Sequence, residues 1–502
     1  MPRILLGQGY YLRFDRKLLR ARQPYAPLGA LYAAACLRQA GHDVSLFDSM
    51  LAAGESEWEQ ALERERPEFA VLYEDGFNYL SKMCLLRMRE AALTMTRAAR
   101  ARGVRVIAAG PDASDHPEPY IDAGALAVVT GEGEATLVAL MEALRSGKAP
   151  REVPGLALRT QPGACERTPA RPFIKDLDSL PEPAWDLVDV ERYRGVWKAR
   201  HGYFSMNLVS TRGCPYHCNW CAKPIYGQRY AVRSPERVAD EMDSLRRRFA
   251  PDHFNFVDDI FGLVPGWVER FAAAVLARGA CTPFRCLSRA DLLSDPVVRA
   301  LARAGCATVW IGAESGSQKV LDAMEKGTRV EQIREAARRL QAAGIQVGFF
   351  LQFGYPGETR DDVERTLQLV RDCRPDDIGV SVSYPLPGTK FHARVAAEMG
   401  AKRNWSDSDD LAMLYRGPFP TAFYRSLHRV LHSEFRLRRL REGRAPRRGR
   451  LRRLAALAYH AAALPLLRAR MEHAARRSHQ ALGPLPVELP PDAAALPSTQ
   501  LR

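Results

Sequence analysis

The 502 residues are 46% apolar and 26% charged, the balance of a soluble globular chain with length for two or three domains, each with its own core. Ten cysteines at this length, with no signal peptide ahead of the strand-like run at Arg3, exclude a disulfide-stapled secreted scaffold and indicate a reducing, cytoplasmic setting. The formal charge of +15 is concentrated: residues 435–480 hold fourteen arginines against Glu442 and Glu472, a net of +12, which leaves +4 on residues 1–434 and argues against a catalytic body built to grip nucleic acid.

Residues 1–147 alternate short apolar runs with amphipathic stretches, the pattern of a parallel α/β sheet of the flavodoxin-like, Rossmann type. Strands are expected at 3–7, 44–48, 69–74, 104–110 and 125–130. Helices are expected near 28–41, 55–66, 81–102, 117–123 and 134–146. In such a fold the ligand lies across the carboxyl ends of the strands. Those ends carry Gln8 and the long Gly9–Lys17 loop, Tyr73 and Glu74 with Asp75–Tyr79 behind them, Gly110, and Gly131-Glu132-Gly133-Glu134. Long polar, aromatic and glycine-rich loops on one edge point to a binding face, with surface decoration as the plain alternative.

Residues 148–203 form a linker in which six prolines between Pro154 and Pro183 exclude a long helix. After it, Ser210-Thr-Arg-Gly-Cys-Pro-Tyr-His-Cys-Asn-Trp-Cys-Ala-Lys223 sets Cys214, Cys218 and Cys221 in one loop at the spacing Cys-x3-Cys-x2-Cys. A structural zinc site wants four ligands, usually as two pairs, and the seven other cysteines offer no second pair. Three thiolates suit a 4Fe-4S cluster with one iron left open.

This loop resembles the cluster loop of the radical S-adenosylmethionine (AdoMet) superfamily. The resemblance implies that the open iron binds AdoMet, with Trp220 beside the adenine, and that an electron from the cluster releases a 5'-deoxyadenosyl radical that takes hydrogen from the substrate. With a flavodoxin-like domain ahead of it, the chain resembles the cobalamin-binding members, to which Gly131–Glu134 and the connector Leu177–Trp185 are also similar. That implies cobalamin held by Gln8, Tyr73, Glu74, Gly110, Gly131, Glu132 and Gly133. The Asp-x-His-x-x-Gly element of other cobalamin proteins is missing; Asp43 beside His42 and Asp115 beside His116 have the wrong spacing. Many members of the radical family lack it too.

From 204 to 395 strands alternate with helices again, as in the partial (β/α)6 barrel that the superfamily builds, with the site at the strand ends. Asp258 and Asp259 end the second strand, read as Phe254–Phe261, where the resemblance implies contact with AdoMet and a helix-entry role is the alternative. The third strand, 284–288, ends at Arg289. The fourth, 308–312, runs into Glu314 and Ser315, implied near AdoMet, with Lys326 a candidate for its carboxylate. The fifth, 346–353, is followed by Gly354, Gly357 and Glu358, implied near adenine. The last, 378–384, ends in Pro385–Thr389.

Residues 396–434 read as a helical cap with Trp405, Tyr415 and Tyr424, and 435–502 as an arginine-rich tail, disordered over its proline-rich end at 483–498. Within the tail, Leu454–Leu467 is apolar but too short to span a bilayer and suits an interfacial or buried helix. Contact with anionic lipid at the inner face of a membrane, with nucleic acid, or with solvent alone are the readings of its charge. The function expected is cobalamin-dependent radical C-methylation of an unactivated carbon, in a small or lipid-like substrate, with methylcobalamin as donor and flavodoxin or ferredoxin as external one-electron reductant. Oxidative cyclisation or rearrangement with the same cofactors is the alternative, and an RNA-modifying or RNA-binding protein a third reading from another class. Radical methylthiotransferases carry a further cysteine triad; Cys36, Cys84 and Cys165 are too dispersed for one.

Overall fold

The computed structural model describes residues 2–77, 85–221, 225–402, 404–405, 410–443 and 450–476. The expected loop residues Asn78 and Tyr79, the start of the helix expected from 81, Cys84 and the proline-rich end at 483–498 lie outside the described residues.

The first sheet has seven strands: β1 (Arg3–Gly7), β2 (Asp43–Leu46), β3 (Phe69–Tyr73), β4 (Arg105–Ala109), β5 (Ala125–Val129), β6 (Leu156–Gln161) and β7 (Ala164–Arg167), in the order β2-β1-β3-β4-β5-β6-β7. The first five are parallel and covered by helices on both faces, which is why they read as nearly unbroken apolar runs such as Phe69–Tyr73, buried throughout. The order reverses direction between β1 and β3, so a crevice opens at their carboxyl ends.

The expected linker holds more structure than its prolines suggested. The β6–β7 hairpin joins β5 antiparallel, and after Pro183 the twelve-residue helix Val190–His201 begins on an Asp189 cap that accepts from Arg192 N. Tyr193 and Trp197 bury one face of that helix.

The second sheet is six-stranded, parallel and open: β8 (Ser205–Leu208), β11 (His253–Phe256), β12 (Phe284–Ser288), β13 (Cys306–Glu314), β14 (Gln346–Phe353) and β15 (Asp377–Val382), in chain order from one edge to the other. Between β8 and β11 the short strands β9 (Thr211–Arg212) and β10 (Ala231–Val232) pair antiparallel as a stem. Strand β11 ends at Phe256, before the aspartates expected to close it. The cap lies against the barrel, where Trp405 meets Tyr384 edge-on at 4.1 Å and Tyr415 Oη donates to the Gly354 carbonyl, and it touches the first domain through the Trp405 carbonyl, which accepts from Leu86 N. The boundary expected at 434 falls inside one helix, Thr421–Arg441, which packs on a second, Arg450–Ala475. No helix among the described residues is long and apolar enough to cross a membrane.

Glu74 stitches the crevice of the first sheet. It is buried at the end of β3 and accepts from Gly9 N beyond β1, and a Cβ on Gly110 would come within 2.4 Å of Glu74 Cβ, so only glycine lets β4 approach. Burial raises its pKa from 4.5 to about 8, against the pull of the Gly9 N–H, with Asp112 and Asp75 adding to the rise. The folded chain therefore keeps a proton that the unfolded chain loses at lower pH. The contribution is present below about 4.5 and is lost as pH rises through about 8. Thermal melts of the wild type should fall from pH 6 to 9, and those of Glu74→Gln should fall less steeply, by up to about 1.4 kcal/mol per pH unit.

Candidate active site

The cluster loop starts and ends on the β9–β10 stem. Gly213, at φ 77°, opens it; a Cβ there would sit 2.3 Å from the Arg229 carbonyl oxygen. Cys214 and Cys218 are buried and Cys221 half-buried, with Cys221 N donating to the Cys218 carbonyl. Asn219, between the last two cysteines, ties the loop to the barrel: its backbone N donates to Met324 O at 3.1 Å, its Nδ2 to Ala323 O at 2.8 Å, and its Oδ1 accepts from Tyr355 Oη at 2.8 Å. Tyr216 lies under the Arg289 guanidinium, 3.6 Å from the ring centroid, and Arg289 Nη1 donates to the Lys326 carbonyl at 3.0 Å.

Asp258 serves the stem. Its Oδ1 accepts from Ser210 N and Thr211 N at 2.7 and 2.8 Å, and its Oδ2 from Ser210 Oγ at 2.6 Å. Burial raises its pKa to about 6 while these bonds oppose the rise. Asp259 beside it is half-buried. Ser315 is likewise engaged, with Thr366 Oγ1 at 3.1 Å and with Ser317 N.

Glu314 closes β13 at φ 57°, where the register with β14 shifts. This left-handed conformation costs a non-glycine residue about 1 kcal/mol or more, so something must hold it. Lys326 Nζ does, at 2.9 Å from Glu314 Oε1, with both side chains buried. Burial works against the Lys326 charge, but Glu314 and then Cys218 outweigh it and its pKa is raised. Its Nζ stands 6.0 Å from the Trp220 ring, whose buried Nε1 has no hydrogen-bond partner. At the end of β14, Gly354 N donates to Glu358 Oε2 at 2.6 Å, the other oxygen of Glu358 is without a partner, and burial raises its carboxyl to about 8. The Gly357 carbonyl accepts from Lys319 Nζ.

In the first domain Gln8 is 2% exposed, and neither its Oε1 nor its Nε2 has a hydrogen-bond partner. A buried amide left unpaired at the mouth of the β1/β3 crevice fits a ligand rich in amides, as cobalamin is. Tyr73 packs under Gly133, where a Cβ would meet its ring at 2.7 Å, whereas Gly131 faces open space. Glu132, expected at the cofactor, is spent elsewhere: one oxygen takes Arg212 Nη1 at 2.5 Å and the other takes Ile174 N at 2.7 Å. Arg212 Nη2 binds Glu134 at 2.7 Å. Tyr32, Phe77 and Tyr226 surround this guanidinium at 5.4–5.5 Å, and Phe77 stacks on Tyr226.

The structure thus gathers Trp220, Glu314 and Lys326 beside Cys218, and Gly354 with Glu358 at the next strand end. It brings Gln8, Tyr73, Glu74, Gly110, Gly131 and Gly133 to the crevice of the other sheet. Sequence reading missed the roles of Arg212, Asn219 and Tyr226, whose partners are distant in the chain, and placed Glu134 on the binding face without its ion pair to Arg212. Among the described residues no three His, Cys, Asp or Glu side chains are drawn tightly enough to hold one metal ion. The donor chemistry that three thiols in one loop do fit is a cluster that takes one thiolate per iron. For AdoMet the fit rests on the orphaned Trp220 Nε1 and Glu358 Oε1.

Replacing Arg212 with Ala strands two buried carboxylates and should cost about 3–5 kcal/mol, read as a lower urea midpoint. Arg212→Lys should recover part of the loss, because one ammonium cannot reach both carboxylates as a fork does.

The B12 binding domain model matches residues 18–141 and the Radical SAM superfamily model residues 208–370. The chain is 30% identical over 311 residues to an uncharacterized methyltransferase of Pyrococcus horikoshii, covering 60% of this chain and 65% of that one. It is 30% identical over 279 residues to the anaerobic magnesium-protoporphyrin IX monomethyl ester cyclase of Rubrivivax gelatinosus, covering 54% and 48%. It spans less than two thirds of either relative. The fold is shared with the cobalamin-dependent AdoMet radical enzyme OxsB solved with aqua-cobalamin, at TM-score 0.70 and 17% identity over 93% of this chain and 72% of that one. With both family models matched in this order, the chain carries a B12 binding domain followed by a Radical SAM superfamily domain, and the cofactors of these two domains are cobalamin, a 4Fe-4S cluster and AdoMet.

Proposed function

We propose that the chain is a C-methyltransferase that replaces hydrogen on an unactivated carbon of a small or lipid-like substrate with a methyl group. The observation that carries this reading is the joint between the two sheets: Arg212, two residues before Cys214, is fixed to Glu132 and Glu134 at the binding edge of the first domain. Bound at the two edges, the cluster with AdoMet supplies radical removal of the substrate hydrogen, and cobalamin supplies the methyl group. An external one-electron donor such as flavodoxin or ferredoxin is the required partner.

In this reading Cys214, Cys218 and Cys221 hold the cluster. Trp220, Gly354, Gly357 and Glu358 line the adenine end of AdoMet, and Glu314 and Lys326 offer a carboxylate and an ammonium to its amino-acid end. Asp258 and Ser315, whose oxygens are already bonded, position the stem and the strand end, and Asp259 faces the amino-acid end of AdoMet. Gln8, Tyr73, Glu74, Gly110, Gly131 and Gly133 cradle cobalamin. The helical cap over β14 and β15 keeps water from the radical chemistry.

A second reading, ring closure without methyl transfer, is favoured by the similarity to the anaerobic cyclase. The test is anaerobic turnover of the reconstituted chain, with a reductant and AdoMet deuterated in its methyl group, on a metabolite extract from cells lacking it. Methylation predicts a product that carries the deuterated methyl; a product formed without label would refute it in favour of the cyclase reading. Cys218→Ser should lose most bound iron by colorimetric assay while cobalamin absorbance is retained.

A further inference from the structure

The helix Arg450–Ala475 advances about 100° per residue, which sorts its side chains into faces. One face docks on the rest of the chain: His460, Met471 and Ala474 are buried there. On the opposite side Leu451, Leu454, Tyr459 and Leu466 are 82%, 53%, 68% and 62% exposed. Together with the alanines between them they occupy an arc of about 140°. Arg452 and Arg470, both exposed, border this stripe on one side; Arg468, paired with Glu434, borders it on the other.

A helix that is apolar on two opposite faces is one that is covered on both. The charge says what covers the second. Arg438, Arg439, Arg453 and Arg468 are spent on internal partners, but Arg452 and Arg470 stand exposed at the border of the stripe, so a cover that satisfies them as well is anionic. Nucleic acid would satisfy the arginines but leave four large apolar side chains in water. A bilayer rich in anionic lipid satisfies both, taking the leucines among acyl chains, the tyrosine at the headgroups and the arginines on phosphates. The helix is too broken by His460, Pro465 and its arginines to cross.

We propose that the outer face of helix 450–475 lies on an anionic lipid surface. This deepens the lipid-like side of the proposed function, rests on it for its purpose only, and is measured without turnover. Failure of vesicle binding leaves the labelling result intact, and an unlabelled product leaves vesicle binding intact.

The experiment is co-sedimentation of the full chain with phosphatidylcholine vesicles, with and without phosphatidylglycerol. Wild type should partition onto the anionic vesicles at least about tenfold more than onto the neutral ones, and less so as salt is raised. Leu454→Glu/Leu466→Glu and Arg452→Glu/Arg470→Glu should each lower that partitioning about tenfold or more, with unchanged circular dichroism and melting temperature. Equal partitioning of wild type and both variants, or none, would overturn the proposal. So would a dimer in sedimentation velocity that Leu454→Glu/Leu466→Glu abolishes, which assigns the face to a second copy. Binding of RNA that depends on the arginines and not on the leucines would overturn it as well.

Discussion

A guanidinium with 3% exposure must be paired to stay charged, and Arg212 is paired twice, with Glu132 and Glu134. Burial works against its charge, while Glu134, Tyr226 and Glu132 restore it, so its pKa rises. Both glutamates stand where β5 hands over to the next helix, at the edge where a flavodoxin-like sheet binds its ligand. Arg212 ends the first strand of the stem that presents the cluster loop. One ion triad therefore registers two binding edges that are built on separate sheets.

The same logic of fixed ends repeats around the loop. Asp258 pins the stem through three hydrogen bonds, Asn219 pins the middle through Tyr355 and the helix before Met324, and Arg289 roofs Tyr216. Against this rigid frame the strained Glu314 and its partner Lys326 remain as a paired charge beside Trp220. Ground already occupied by internal hydrogen bonds frames the site. In the proposed reading, the ligands satisfy the partnerless atoms of Gln8, Trp220 and Glu358.

The parallel strands of both sheets were legible in the sequence to within a few residues as short apolar runs: Phe69–Tyr73 is buried throughout, and Gln346–Phe353 is buried apart from Gln346 and Phe350. The β6–β7 hairpin was not, since its residues from Arg159 to Gln161 face water and read as linker. The helix from Val190 lay hidden behind the prolines before it. The three cysteines announce themselves because they fall within one eight-residue segment, 214–221. Arg212 and Asn219 do not, since their partners Glu132 and Tyr355 are 80 and 136 residues away. For Asp258 and Glu132 the sequence showed a carboxylate at a strand end but not where its oxygens are spent.

In the proposed reading, the joint at Arg212 brings a cluster and a cobalamin into one working site. Electron paramagnetic resonance of the anaerobically reconstituted chain, with the cluster reduced and cobalamin in its paramagnetic state, tests it directly. The account predicts one of each per chain, with the two signals broadening one another through spin coupling. A full complement of cluster with no cobalamin bound, or two signals indifferent to each other, would contradict it.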